Sequence, residues 1–176
     1  MRKAESLSKC TEESAGGQRM SIERVRAEFE KEEIADRIIE LDSSSATVER
    51  AAQALGCESA RIAKTLSFYG PEDDTILIVA AGDAKIQNGK FKRTFGLKPS
   101  MLKAEDVEER TGHRIGGVCP FACKDSVRVY LDESLRRFDT VYPACGSSNS
   151  AIRLELDELE RYSHSCGWVD VSKLPE

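Results

Sequence analysis

The sequence predicts an α+β domain, a mixed sheet of about six or seven strands with short helices packed around it, and three observations carry that expectation. Apolar residues alternate with polar ones over short runs at Leu66 and Phe68, at Val127, Val129 and Leu131, and at Ile152, Leu154 and Leu156, the period of half-buried strands. Helical spacing occurs only in short stretches, at Ile22, Val25 and Phe29 and again at Val48, Ala51, Ala52 and Leu55. Long helices do not alternate regularly with strands, and there is neither a Gly-x-Gly-x-x-Gly nor a Walker loop, which argues against a Rossmann or P-loop architecture. A chain of 176 residues with 40% hydrophobic and 32% charged side chains has the material for one core and a well-hydrated surface.

Taken in order, residues 1 to 20 have only Met1, Leu7 and Met20 as sizeable apolar groups and are expected to be a flexible leader, with a single domain over 21–176. Ser21 is placed to cap a first helix, whose acidic run from Glu28 to Glu33 would face solvent. Ile38, Ile39 and Leu41 suggest a short strand, and Thr47 caps a second helix that Gly56 ends. The turn residues Gly70 to Asp74 join the strand through Leu66 and Phe68 to a buried strand, Thr75 to Ala81, as a hairpin. Lys85 to Phe95 reads as a short basic helix, Lys98 to Leu102 as a strand, and Ala104 to Arg110 as an acidic helix closed near Gly112. Ile115 to Lys124, with Gly116, Gly117 and Pro120, is expected to be a shaped loop. Strands follow at Val127 to Leu131, Thr140 to Tyr142 and Ile152 to Leu156, and a helix at Asp157 to Tyr162.

The longest unbroken apolar stretch is the six residues Ile76 to Ala81, against roughly 20 for a bilayer span. The charged N-terminus has no apolar block behind it, so a cytoplasmic location without a membrane partner is expected. In that setting Cys10, Cys57, Cys119, Cys123, Cys145 and Cys166 read as reduced thiols. The net charge of −5 is unevenly spread: from Asp83 to Lys103 the one acid, Asp83, stands against Lys85, Lys90, Lys92, Arg93, Lys98 and Lys103. That segment could meet phosphate, with Lys90, Lys92 and Arg93 as the candidate nucleic-acid contacts.

Three segments could carry chemistry. Lys64 stands near the start of a strand, where it either aims into a cleft or snorkels at the sheet edge. Gly116-Gly117-Val118-Cys119-Pro120 is either a backbone-donor loop of the oxyanion-hole kind or an ordinary turn. Ala144 to Ser150, preceded by Asp139, leaves room for a ligand or is simply a connection. Cys119, Cys123, Cys145 and His113 form a poor zinc pattern, and Cys119 with His113 as base is a weaker enzymatic alternative.

Together these segments resemble the YbaK/prolyl-tRNA synthetase-associated domain family, editing domains that deacylate mischarged tRNA. The resemblance runs from about Ser21 to Tyr162 and rests on Thr47 to Ala52 through Leu55-Gly56, on Ile62 to Phe68, on Gly116 to Phe121, and on Leu131 to Leu135 leading into Asp139 to Tyr142. It implies a compact, partly barrel-like mixed sheet and a pocket for the aminoacyl-adenosine end of a tRNA. It further implies substrate-assisted ester hydrolysis, in which a terminal ribose hydroxyl helps activate water, with no metal or other cofactor. Lys64 would hold the substrate, and the Gly116 to Pro120 loop, Gly117 included, would offer backbone donors to the aminoacyl carbonyl. Val118, Pro120, Asp139, Ala144, Gly146 and Ser147 would contact the substrate, and an aminoacyl-tRNA synthetase is a further implied partner. The sequence departs from well-known bacterial members at Ala144, where serine is common, and at Asn149, where a second glycine is common, and both departures bear on amino-acid specificity. A noncatalytic tRNA- or synthetase-binding module of the same fold is the alternative.

Overall fold

An uninterrupted apolar strand needs cover on both faces, and β3 (Thr75–Ala81) is buried at every position. The computed structural model, which describes residues 21–42 and 47–175, places β3 at the centre of a six-stranded sheet. The expected leader over residues 1–20 lies outside the described residues. β2 (Ile62–Tyr69) pairs with β3 antiparallel from Ala63↔Ala81 to Tyr69↔Thr75, the expected hairpin. β5 (Val127–Asp132) runs parallel to β3 on its other side. With β6 (Thr140–Pro143), β8 (Leu154–Glu155) and β9 (Trp168–Val169), the strand order is β8-β6-β2-β3-β5-β9. The sheet is mixed and curls into a half-barrel, an α+β architecture as expected. Two small ladders flank it, β1 (Ile39–Glu40) with β7 (Ser150–Ala151) and β4 (Lys85–Ile86) with β10 (Ser172–Lys173).

Among the described residues, five α-helices pack around the sheet. α1 covers residues 21–31, so Ser21 is already helical, and its hydroxyl bonds His113 Nδ1. α2 (Val48–Leu55) has the expected cap, Thr47 Oγ1 accepting from the Arg50 N–H at 3.2 Å, and ends at Gly56. Its Ala51 and Ala52 pack on Ile62 and Tyr142, which seats the helix over the start of β2. α3 (Asn88–Phe95) begins later than the expected helix, because Lys85 and Ile86 pair with the C-terminal Lys173 and Ser172. That long-range pairing leaves no local signal. α4 (Ala104–Thr111) is the expected acidic helix. The strand expected at Lys98 to Leu102 reduces to one bridge, Met101 to Phe68. The strand expected through Leu156 stops at Glu155, where a Glu155–Glu158 capping box starts α5 (Leu156–Tyr162).

α1 also supports the irregular segment 112–124. Phe29 meets Phe121 edge-on at 4.9 Å and Tyr162 at 6.0 Å, Arg24 donates to the Gly112 carbonyl, and Glu28 Oε2 accepts from the Ala122 N–H at 3.2 Å.

Candidate active site

A strand in a sheet is normally paired along both edges, and β2 is not. β6 runs beside it only at Ile62 and Ala63. The same edge is next covered further along, where the Leu102 N–H donates to Ser67 O (3.0 Å) and the Tyr69 N–H to Ser100 O (2.9 Å). Between these covers, Lys64, Thr65 and Leu66 line a cavity of about 520 Å³, within the range that takes small ligands. α2 supplies one wall through Val48, Ala51 and Leu55, and Met101, Leu102, Ala104 and Val107 supply another. Ile115, Gly116 and Val118 come from the glycine loop, and Tyr142, Ala144, Ser147, Ser148 and Ser150 from β6 and the loop after it.

Lys64 is the one charged side chain among the lining residues. Its ammonium donates to the carbonyls of Gly82 (3.3 Å) and Ala84, which leaves one of its three N–H donors uncommitted. Partial burial lowers its pKa below the ordinary lysine value, and the nearby Asp83 carboxylate opposes that shift. The turn bearing those two carbonyls is clamped from behind. Arg137 holds Asp83 with both terminal nitrogens (3.0 and 2.5 Å), and Ser134 Oγ accepts from the Ala81 N–H at 3.1 Å. The Arg137 guanidinium holds the Asp83 carboxyl below the usual carboxylate range.

The expected donor loop divides. The Gly117 N–H donates to Arg114 O at 2.9 Å, closing a turn in which Gly116 has φ +88°. Gly117 is buried against the second loop, where a Cβ on it would lie 2.8 Å from Gly146 O. Gly116 and Val118 line the cavity, and their N–H groups have no acceptor among the described residues. Pro120 is buried outside the lining, Gly146 packs on the Ser21 backbone, and Asp139 is exposed. Ala144 and Ser147 line the cavity. The Ser147 hydroxyl lies 2.9 Å from Asn149 Oδ1 and 2.8 Å from Ser150 Oγ. Asn149 ties this loop to the chain before α2, its Nδ2 donating to Leu41 O at 3.1 Å.

The cysteine alternative finds no support in this geometry. His113 Nε2 lies 2.7 Å from the Phe121 carbonyl, which can only accept, so Nε2 carries the proton and Nδ1 accepts from Ser21. The nitrogen 3.5 Å from Cys119 Sγ therefore has no lone pair with which to take the thiol proton. Burial lowers the His113 pKa to about 4 and pushes the Cys119 thiol well up, and neither residue lines the cavity.

Of the basic trio, Lys90 is tied to Asp170 (2.9 Å) and the Ser172 carbonyl (2.9 Å), whereas Lys92 and Arg93 are exposed; none lines the cavity. Sequence reasoning missed the wall formed by Met101, Leu102 and Val107, and it missed Thr65 and Tyr142. The alternation through β2 could have flagged Thr65; nothing local flags the others.

Comparisons with known proteins bear on this cavity directly. The aminoacyl-tRNA editing domain family matches over residues 42–162, which spans α2, the open edge of β2, the glycine loop and the Ala144 to Ser150 loop. The chain belongs to the aminoacyl-tRNA editing domain family. It is 54% identical over 154 residues, 88% of this chain and 98% of the relative, to the uncharacterized protein YwhH of Bacillus subtilis (strain 168). It is 29% identical over 109 residues, 61% of this chain and 66% of the relative, to EbsC of Enterococcus faecalis (strain ATCC 700802 / V583), described as a candidate Cys-tRNA(Pro)/Cys-tRNA(Cys) deacylase. A crystal structure of a candidate trans-editing enzyme for prolyl-tRNA synthetase superposes with a TM-score of 0.78 at 30% identity, over 87% of this chain and 97% of that one. Among the described residues of this editing domain, no helix is long and apolar enough to cross a membrane, and no three His, Cys, Asp or Glu side chains are grouped to hold a metal ion.

Proposed function

We propose that this editing domain is an aminoacyl-tRNA deacylase acting in trans, which hydrolyses the ester of mischarged tRNA without a metal. The observation that supports the reading is the meeting of an anchored ammonium, Lys64, with two uncommitted backbone donors, Gly116 and Val118, at one cavity on an open strand edge. Such donors suit the charge that grows on an acyl oxygen as water attacks. The water oxygen bonds to the aminoacyl carbon and the carbon–ribose oxygen bond breaks. A ribose hydroxyl of the terminal adenosine assists deprotonation of the water, and the proton ends on the departing ribose oxygen. Free amino acid and uncharged tRNA result. Val118, Ala144 and Ser147 form the wall against the aminoacyl group, while Gly117, Pro120 and Gly146 hold the two loops in shape. Lys92 and Arg93 meet the tRNA backbone beyond the cavity. What EbsC and the trans-editing enzyme are described as acting on makes tRNAPro the first substrate body to test, with prolyl-tRNA synthetase as the accompanying partner.

The test is single-turnover hydrolysis of a panel of non-cognate aminoacyl-tRNAs, cysteinyl-tRNAPro included, with and without chelator. Wild type should release amino acid in both conditions, and Lys64→Ala should be slower by roughly tenfold to a thousandfold with an unchanged melting temperature. Tight tRNA binding with no hydrolysis of any ester would instead establish a noncatalytic binding module. A melting temperature that collapses with Lys64→Ala would make the lysine a structural residue.

A further inference from the structure

The open edge of β2 comes down to one residue. Along a strand, the N–H and C=O of alternate residues face the same edge. Ser67 O and Tyr69 N bond the 100–102 segment, so the backbone groups of Thr65, two residues earlier, face that edge too. On the other side β3 is consistent with this: the Ala81 N–H, opposite Ala63, turns away from β2 to Ser134 Oγ. β6 has left β2 at Ala63, and neither the N–H nor the C=O of Thr65 has a partner among the described residues. Thr65 Oγ1 is likewise buried without a hydrogen-bond partner. One cavity-lining residue thus has three polar groups without a protein partner among the described residues, and all three are free to bond a ligand.

We infer that Thr65 pairs with the aminoacyl group of the substrate main chain to main chain, its C=O accepting from the α-ammonium and its N–H donating to the ester carbonyl oxygen. This rests on the deacylase reading of the same cavity. An N–H and C=O from one extended residue match an amine and carbonyl separated by one tetrahedral carbon, as paired residues match across a ladder. The opening also selects by length. β6 bounds it before Thr65 and Leu102 bounds it after, so a single aminoacyl unit fits where a peptide would collide with both covers. The Thr65 N–H then adds to Gly116 and Val118 as a donor to the reacting carbonyl, and the α-amine becomes a recognition element for every amino acid the domain removes.

Thr65→Pro deletes the N–H without breaking a ladder bond, since proline is tolerated where the strand N–H is unused. The experiment compares wild type and Thr65→Pro on the mischarged tRNA that wild type hydrolyses fastest, and on the same tRNA carrying the desamino acyl group. Binding of the corresponding non-hydrolysable 3′-aminoacylamido-adenosine is titrated in parallel, and melting temperatures report folding. The expected result is a Thr65→Pro protein that melts like wild type, hydrolyses at least tenfold more slowly and binds the amide analogue more weakly. Removing the amine should slow wild type by a similar factor. A folded Thr65→Pro with wild-type rate and affinity overturns the inference, as does desamino substrate turned over at full speed. If Thr65→Pro fails to fold, the strand N–H is not free and the inference falls. Should wild type hydrolyse no ester, the deacylase reading fails by itself; the inference then stands if the amide analogue binds wild type better than its desamino form does, and falls if it does not.

Discussion

His113 sits in the interior as a neutral ring, donating from Nε2 to Phe121 O and accepting on Nδ1 from Ser21, and that arrangement sets an acid limit on stability. Its folded pKa, about 4 against 6.5 for a free histidine, means the unfolded chain binds the extra proton between those values. The stabilisation is therefore complete above about pH 6.5 and is lost as pH falls towards 4, by roughly 3 kcal/mol in all. Urea unfolding at pH 7 and pH 4.5 should show a smaller acid-induced loss for His113→Gln, whose amide can donate and accept but does not titrate in that range. Cys119, fully buried beside that ring, invites a second substitution. Cys119→Ser should leave single-turnover hydrolysis within a few-fold of wild type while lowering stability by about 1–3 kcal/mol, the cost of burying a hydroxyl in a thiol's place. Complete loss of hydrolysis in a folded Cys119→Ser would restore the cysteine nucleophile.

At the level of elements, the site is held where two loops touch. Gly117 leaves no space for a side chain, since its Cβ would press on the Gly146 carbonyl at 2.8 Å, whereas a Cβ on Gly116 would meet only Ser148 Cβ at 3.6 Å. Gly116 instead has φ +88°, a conformation that costs a substituted residue about 1–2 kcal/mol. Gly117→Ala should thus lose more stability than Gly116→Ala in urea titrations, because one displaces a neighbouring backbone and the other strains only its own. Gly116→Val should slow hydrolysis more than it weakens binding of the amide analogue, since it shifts a donor without filling the apolar wall. Equal losses of rate and affinity would assign Gly116 to binding alone. The same backbone packing explains why the glycine loop and the Ala144 to Ser150 loop are visible in the sequence as separate pieces and not as a pair. Each has a composition that marks a turn, but they touch through backbones about 30 residues apart, and backbone packing leaves little trace in side-chain pattern.

Across the whole molecule, a net charge of −5 has to coexist with the polyanionic substrate proposed for this domain, and the structure separates exposed basic residues from those tied to other side chains. Lys90 joins α3 to Asp170 and to the Ser172 carbonyl at the start of β10, while Lys92 and Arg93 are exposed on the same helix. Lys90→Glu should lower the melting temperature. The Lys92→Glu, Arg93→Glu pair should leave melting unchanged but weaken tRNA affinity and flatten its salt dependence, by close to one unit of log–log slope for each phosphate that is no longer neutralised. Unchanged affinity in the double reversal would move the tRNA surface to another face.

The apolar run Ile76 to Ala81, the alternation through Val127 to Leu131 and the caps at Thr47 and Gly56 are local patterns, and they are enough to predict a mixed sheet with short helices and its central hairpin. The resemblance to the editing-domain family, carried by the order of its motifs, brings Lys64 and the glycine loop forward as one candidate site. Distance along the chain hides the rest. Lys85 and Ile86 become a strand because Ser172 and Lys173 lie beside them, Ser21 gives its hydroxyl to a histidine 92 residues away, and the edge of Thr65 turned from β3 has no strand beside it among the described residues because β6 pairs with β2 only as far as Ala63. Periodicity reports which face of a segment is buried, but only assembly shows which backbone groups are left without a partner, and among the described residues those of Thr65, Gly116 and Val118 belong to residues that line the cavity.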